Sequence, residues 1–280
     1  MKLTLSLTGM TFVLCAGSWA QTAPADTGAE RVVVPARNST RPRKVDVNLM
    51  SGAITIKAYA GKDVIVEANP ASSSHRKTNE KENARDAAAR AEGLHRLDAA
   101  MRGLSVEEND NVITVRAPGR SAELTISVPA ETSLTLHTMS GRIQVEGVKG
   151  EFDLSSMNGP ITLTDVSGSV LAHAMNGAIK VSLDAVDQSK PLSFSTMNGT
   201  IDVTLPADFK SNVKLRTDHG AIYSDFEFKM GPGVIAQKNN TADGKFRVKM
   251  DSTISGAING GGVESTFKTY NGTIYIRKKK

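Results

Sequence analysis

A chain of 280 residues with 39% hydrophobic content has enough apolar surface for one large domain or two ordinary ones. Aromatic residues make up only 5% and glycines number 24, a balance that favours thin, regularly stacked β-layers over a bulky mixed core. The formal net charge of +5 is mild and reads as ordinary solubility charge, compatible with anionic glycans or lipid headgroups, and no nucleic-acid partner is expected.

Residues 1–20 carry Lys2, an apolar centre from Leu3 to Leu14, and a small-x-small end at Ser18-Trp19-Ala20, the pattern of a cleaved secretory signal peptide. The lone cysteine, Cys15, falls inside that segment, so the expected mature chain has neither disulfide nor thiol chemistry. Leu14 before it argues against a lipid anchor. No later stretch reaches the roughly 20 apolar residues of a membrane-spanning helix. The expectation is an exported protein, periplasmic or extracellular.

Residues 21–44, rich in Pro, Ala, Thr and Arg, read as a disordered basic linker. Residues 45–276 read as one β-solenoid domain. Its first rung alternates Val45, Val47 and Leu49, turns at Ser51-Gly52, continues through Ile54 and Ile56, and turns again at Gly61 into Val64 to Val66.

A different composition interrupts this pattern. Ala84, Ala87, Ala88, Ala91, Leu94 and Met101 share a helical face, Asn79 and Glu82 form a capping box, and Gly103 stops the run. One amphipathic helix is expected over about residues 79–102, with a solvated charged face. Beyond it, Asn109-Asp110-Asn111 marks a hairpin turn, and the strand containing Leu124, Ile126 and Val128 runs into Pro129-Ala130. Pro206-Ala207 recurs at the equivalent place in a longer repeat, and each proline should mark a strand end.

The organising pattern is M-[SN]-G-x-I-x-[VIL], centred on Gly52, Gly141, Gly159, Gly177 and Gly199, with looser copies at Gly220 and Gly272. From Gly141 to Gly220 the steps are 18, 18, 22 and 21 residues, a period that signals a solenoid. Leu136, Leu154, Ala172, Phe194 and Leu215 supply an inward set before the glycine. Ile143, Ile161, Ile179, Ile201 and Ile222 supply another after it, and Val148, Val166 and Val186 a third at the next bend. Such repeats bury their faces only by stacking, at about 4.8 Å per strand. Residues 246–250 suggest a further strand, Gly260-Gly261-Gly262 a flexible connection, and residues 277–280 a basic tail beside an open sheet edge.

Taken together, the early glycine rung, the charged interruption, the Val128-Pro129-Ala130 strand and the x-x-[SN]-G-x-I repeats resemble a bacterial adhesin-like β-strand-repeat family, a domain of unknown function. The resemblance spans roughly residues 45–276. It implies an extracytoplasmic β-helix-like solenoid and transfers no catalytic residue. Methionine stands where that family usually has a small residue, and the helical interruption is long.

Aligned on the glycine, Asn158, Asn176, Asn198 and Asn271 fall in one column with Ser140 and His219. With Gly141, Gly159, Gly177 and Gly199, these asparagines read as a structural ladder. One position earlier stand Met50, Met139, Met157, Met175 and Met197, a row that reads as an apolar strip and a candidate binding row, and that also admits soft-metal capture by thioethers. His137 and His173 are about 10 Å apart, too far to ligate one ion together, and no zinc spacing occurs. Asp165 with Asp184 or Asp187 is the nearest approach to a carboxylate pair, the arrangement that a carbohydrate-active β-helix enzyme or a calcium site would need.

These readings name no cofactor, no metal site and no catalytic residue. They favour a non-catalytic binding or scaffold module meeting a surface glycan or an envelope protein. A carbohydrate-active enzyme and an envelope-stress sensor that signals to a membrane partner stand as the alternatives.

Overall fold

The computed structural model describes residues 30–36, 42–70, 104–117, 121–230 and 253–280. The expected signal peptide, the expected helix at about 79–102 and the strand expected at 246–250 lie outside these residues. Among the described residues the regular structure is all strand, with no helix, and the protein is an all-β solenoid.

The chain enters as β1 (Glu30–Val34), β2 (Arg43–Tyr59), β3 (Val64–Pro70), β4 (Ser105–Asn109), β5 (Val112–Ala117) and β6 (Ala122–Pro129). The regular repeats follow as β7 (Thr132–Ser140), β8 (Ile143–Glu146), β9 (Lys149–Asn158), β10 (Ile161–Asn176), β11 (Ile179–Val186), β12 (Ser193–Asn198) and β13 (Ile201–Leu205). It ends as β14 (Ser211–His219), β15 (Ile222–Ser224), β16 (Lys229–Met230), β17 (Ile254–Ile258), β18 (Glu264–Asn271) and β19 (Ile274–Lys278).

A rung is a leading strand, a glycine corner and a following strand, as in β7, Gly141 and β8. Leading strands pair in parallel to make one layer and following strands make another. Alternation puts every second side chain inward. Leu136, Leu154, Ala172, Phe194 and Leu215 from the first layer, and Ile143, Ile161, Ile179 and Ile201 from the second, are buried in one continuous core. Each leucine, isoleucine or phenylalanine among them contributes about 1.5–3 kcal/mol by leaving water. Val148 and Val166 close the core at the opposite bend, Val186 packs against it partly exposed, and so does Ile222.

Stacking does not follow the order of the sequence. The rung of β2 sits between β5/β6 on one side and β7/β8 on the other. At the far end β18 inserts between β12 and β14, and β19 between β13 and β15. The corner glycines therefore run Gly52, Gly141, Gly159, Gly177, Gly199, Gly272, Gly220, each laid against the carbonyl of the one before it. Antiparallel strands close both ends of the parallel stack: β4 on β5 and β3 on β6 at one end, β17 on β14 at the other. The atypical terminal units of a repeat array commonly serve this capping purpose.

Three local expectations need correction. The stretch assigned to a disordered linker contains β1, whose run Val32-Val33-Val34 is too short to announce a strand but finds the free edge of β3, burying Val34. Arg43, buried at the start of β2, donates to the Pro35 carbonyl at 3.1 Å. Secondly, β3 is not the third strand of the first rung but turns back antiparallel on β6, the strand stacked on the second half of β2. Thirdly, Gly260-Gly261-Gly262 belongs to a tight turn: Gly261 N–H donates to Ile258 O at 3.0 Å, and Asn212 donates to Gly262 O at 2.7 Å. The hairpin at Asp110-Asn111 has both residues at positive φ (48° and 65°), the geometry that matches strand twist in a two-residue loop. Pro129 ends β6, and Pro206 follows the last residue of β13.

Candidate functional site

The outward face of the first layer is built from columns whose members are set by register. The asparagine column is bonded along the stack. Asn176 donates to Asn158 Oδ1 at 2.9 Å, Asn198 to Asn176 Oδ1 at 2.8 Å, and Asn271 to Asn198 Oδ1 at 2.8 Å. Asn158 donates to Met139 O at 3.5 Å, and His219 lies beside Asn271 at the other end. The Asn158, Asn176 and Asn198 amides each donate one bond and accept another along the stack, so the corner is held by side chains as well as backbone.

Beneath the face, two positions before the asparagines, Thr138, Ser156, Ala174, Thr196, Thr269 and Thr217 form an inward column. Thr196, Thr269 and Thr217 donate to the carbonyls of Gly177, Gly199 and Gly272 at 3.0, 3.1 and 2.9 Å, and Ser156 to Gly141 O at 3.4 Å. Ala174 breaks this series, having no hydroxyl to offer Gly159.

Between the asparagines and the buried hydroxyls stands the methionine row. Met50, Met139, Met157, Met175 and Met197 are 40–60% exposed, and Tyr270 continues the row at 45%. At strand spacing, these six neighbours make an apolar ridge about 24 Å long. Two residues earlier, on the same face, run Asn48, His137, Ser155, His173 and Ser195. His173 Nδ1 lies 2.7 Å from Ser195 Oγ. Between the two columns lies a groove of about 320 Å³ lined by Met50, Met139, Met157, Met175, His137 and His173 among others. A second groove, about 440 Å³, follows the bend at Gly150 and Gly168 and includes Lys149 and Asp187.

A family model described as Toastrack DUF4097 matches residues 28–259. The chain belongs to this family. Among solved structures, the Toastrack chain is similar to a "putative cell adhesion protein" from Clostridium sporogenes, with 13% identity over 90% of this chain and 99% of that one and a TM-score of 0.44. A "putative adhesin" from Bacteroides fragilis follows at 11% identity, covering 90% of this chain and 97% of that one, with a TM-score of 0.33. Another, from Parabacteroides merdae, has 10% identity, covers 90% of this chain and 96% of that one, and has a TM-score of 0.30. No curated protein matches the chain.

Of the two carboxylate pairings considered from sequence, the structure brings Asp165 and Asp184 of this Toastrack chain to one point. Lys279 Nζ bonds both, Asp165 at 3.4 Å and Asp184, so the two carboxyls share one ammonium. The two aspartates hold the lysine pKa above its ordinary value, Asp184 first. Asp187 lies in a separate turn, where the Ser189 hydroxyl and N–H donate to it at 2.6 and 3.0 Å and hold its carboxyl below the usual range. Lys190 meets Glu151 at 2.6 Å beside it. Residues 277–279 are no free tail: Arg277 and Lys278 extend β19 along β13, Arg277 bonds Asp202 at 2.8 Å, and Lys279 N–H donates to Leu205 O at 2.8 Å. Among the described residues no three His, Cys, Asp or Glu side chains converge as a metal ligand set, and no helix is long and apolar enough to cross a membrane.

Sequence reasoning aligned the methionine row but missed the groove beside it, because a groove depends on which side chains flank the row on neighbouring rungs. It also missed Tyr223 stacked on Tyr275, with centroids 5.3 Å apart and rings 11° from parallel, and Arg277 over the Tyr275 ring. Those tyrosines meet only because the last rung slides in beside the rung that precedes it.

Proposed function

We propose that this protein is a non-catalytic, exported adhesin-like module of the cell envelope that binds an extended partner, a surface glycan or an envelope protein, along the face carrying the methionine ridge. One observation carries the reading: five exposed methionines and Tyr270 stand in register on adjacent rungs. Each contact would be weak, and repetition at a fixed spacing raises overall avidity without requiring any single deep pocket. Exposed apolar patches of such continuity on a soluble surface mark interaction sites. The names of the similar solved structures, and the secretory pattern of residues 1–20, are consistent with a surface or periplasmic setting.

The test is binding of the purified mature chain to a glycan array and to cross-linked envelope extract, with Met139, Met157 and Met175 changed together to Ser. Binding that disappears in the variant, with the fold intact by circular dichroism, supports the reading. Turnover of an envelope or plant polysaccharide by the parent chain would overturn it.

A further inference from the structure

The groove beside the ridge concentrates one chemical type of donor. Met139, Met157 and Met175 occupy three consecutive rungs, because Thr138 pairs with Ser156 and Ser156 with Ala174 in unbroken register. Neighbouring backbones in such a stack are about 4.8 Å apart. Each sulfur sits at the end of an unbranched side chain with three rotatable bonds, so three sulfurs anchored at that spacing can converge on one point above the central rung. All three side chains are exposed and line the same groove.

His137 adds a nitrogen. It is two residues before Met139 on the same strand, hence on the same face, and it lines the same groove. His173 also lines the groove, but its Nδ1 is engaged at 2.7 Å by Ser195 on the next rung. The set is then three thioethers and one imidazole, all neutral when they bind. Neutral soft donors select a soft monovalent ion: thioethers favour Cu(I), whereas Ca²⁺ and Mg²⁺ demand oxygen ligands and Zn²⁺ is held by thiolates, imidazoles and carboxylates. The groove's lining includes no Asp or Glu to offset a divalent charge.

The geometry points to a binding site for a soft monovalent metal ion, Cu(I) or Ag(I), formed by the thioethers of Met139, Met157 and Met175 and the imidazole of His137. This site does not depend on the adhesion reading, and either can fail alone.

The experiment titrates the full chain with Cu(I), kept reduced and anaerobic, against the chelator bathocuproine disulfonate, and separately with Ag(I) by calorimetry. Saturation at one equivalent is expected for both, with X-ray absorption showing mainly sulfur scatterers and one nitrogen. The triple variant Met139→Leu, Met157→Leu, Met175→Leu keeps apolar bulk and removes the sulfurs. Its affinity should fall by more than about a hundredfold, since loss of second-shell partners alone costs roughly 10–100-fold. Met197→Leu, outside the groove lining, should bind like the parent, and His137→Asn should lose the nitrogen scatterer. Absence of saturable binding overturns the site. So does a triple variant that keeps its circular dichroism spectrum and binds as tightly as the parent, or a loss in Met197→Leu equal to that in Met157→Leu.

Discussion

Gly177→Ala tests whether the solenoid is held by close approach at the glycine corners. A Cβ on Gly177 would lie 2.1 Å from the Gly159 carbonyl oxygen, and ordinary contact begins at 3.4 Å, so the two rungs must separate there by about 1.3 Å. Three bonds span that corner: Gly159 N–H to Asn176 O at 3.0 Å, Ile161 N–H to Ala178 O at 2.9 Å, and Asn176 Nδ2 to Asn158 Oδ1 at 2.9 Å. Lengthened by that amount, all three pass the limit of about 3.5 Å beyond which no hydrogen bond remains. At about 1 kcal/mol each, the loss is about 3 kcal/mol. For a domain of this size that corresponds to a fall in Tm of roughly 6–12 °C.

Gly260→Ala separates this cause from backbone strain, because Gly260 has φ 93° and nothing within 4 Å of the added carbon. It should cost only the left-handed penalty, about 1 kcal/mol. Thermal denaturation followed by far-UV circular dichroism measures both. A Gly177→Ala midpoint equal to that of Gly260→Ala would refute the reasoning.

Other expectations follow from the same ladders and turns. Ala174→Ser should restore the missing hydroxyl beneath the Gly159 carbonyl and stabilise the chain by about 0.5–1.5 kcal/mol, read as a higher urea midpoint. Phe267→Ala should cost about 3–5 kcal/mol, because its fully buried ring stacks on Phe194 at 5.2 Å and anchors the inserted C-terminal rung. Equilibrium denaturation of that variant checks the figure. Asp187, whose pKa is depressed chiefly by Ser189, contributes stability that is present above the ordinary carboxylate value and is lost as pH falls through its own lower pKa. An NMR titration should find its midpoint below that of exposed aspartates, moving up toward them in Ser189→Ala.

The parts legible in sequence were those that depend on a residue's phase within its own rung. Isoleucine after the corner and leucine or phenylalanine before it point inward by strand alternation alone, and the glycine spacing shows that the rungs are copies. The alignment of the methionine row and of the asparagines follows from the same phase. Contacts between particular rungs were not legible. Nothing in the order of residues puts Lys279 beside Asp165 and Asp184, or gives Val32-Val33-Val34 the edge of β3 as a partner. The pairing of His173 with Ser195 needed the neighbouring strand as well.

By itself, then, the sequence determined the rung, its inward and outward faces and its glycine corner, because each is a property of local alternation. Only the tertiary structure decided which rung lies on which. Similar rungs present similar inner faces, so many stacking orders satisfy the same hydrophobic pattern, and the chain path and a few distinctive side chains choose among them. Phe267 on Phe194 and Tyr275 on Tyr223 mark the choice at one end, and they place Gly272 between Gly199 and Gly220.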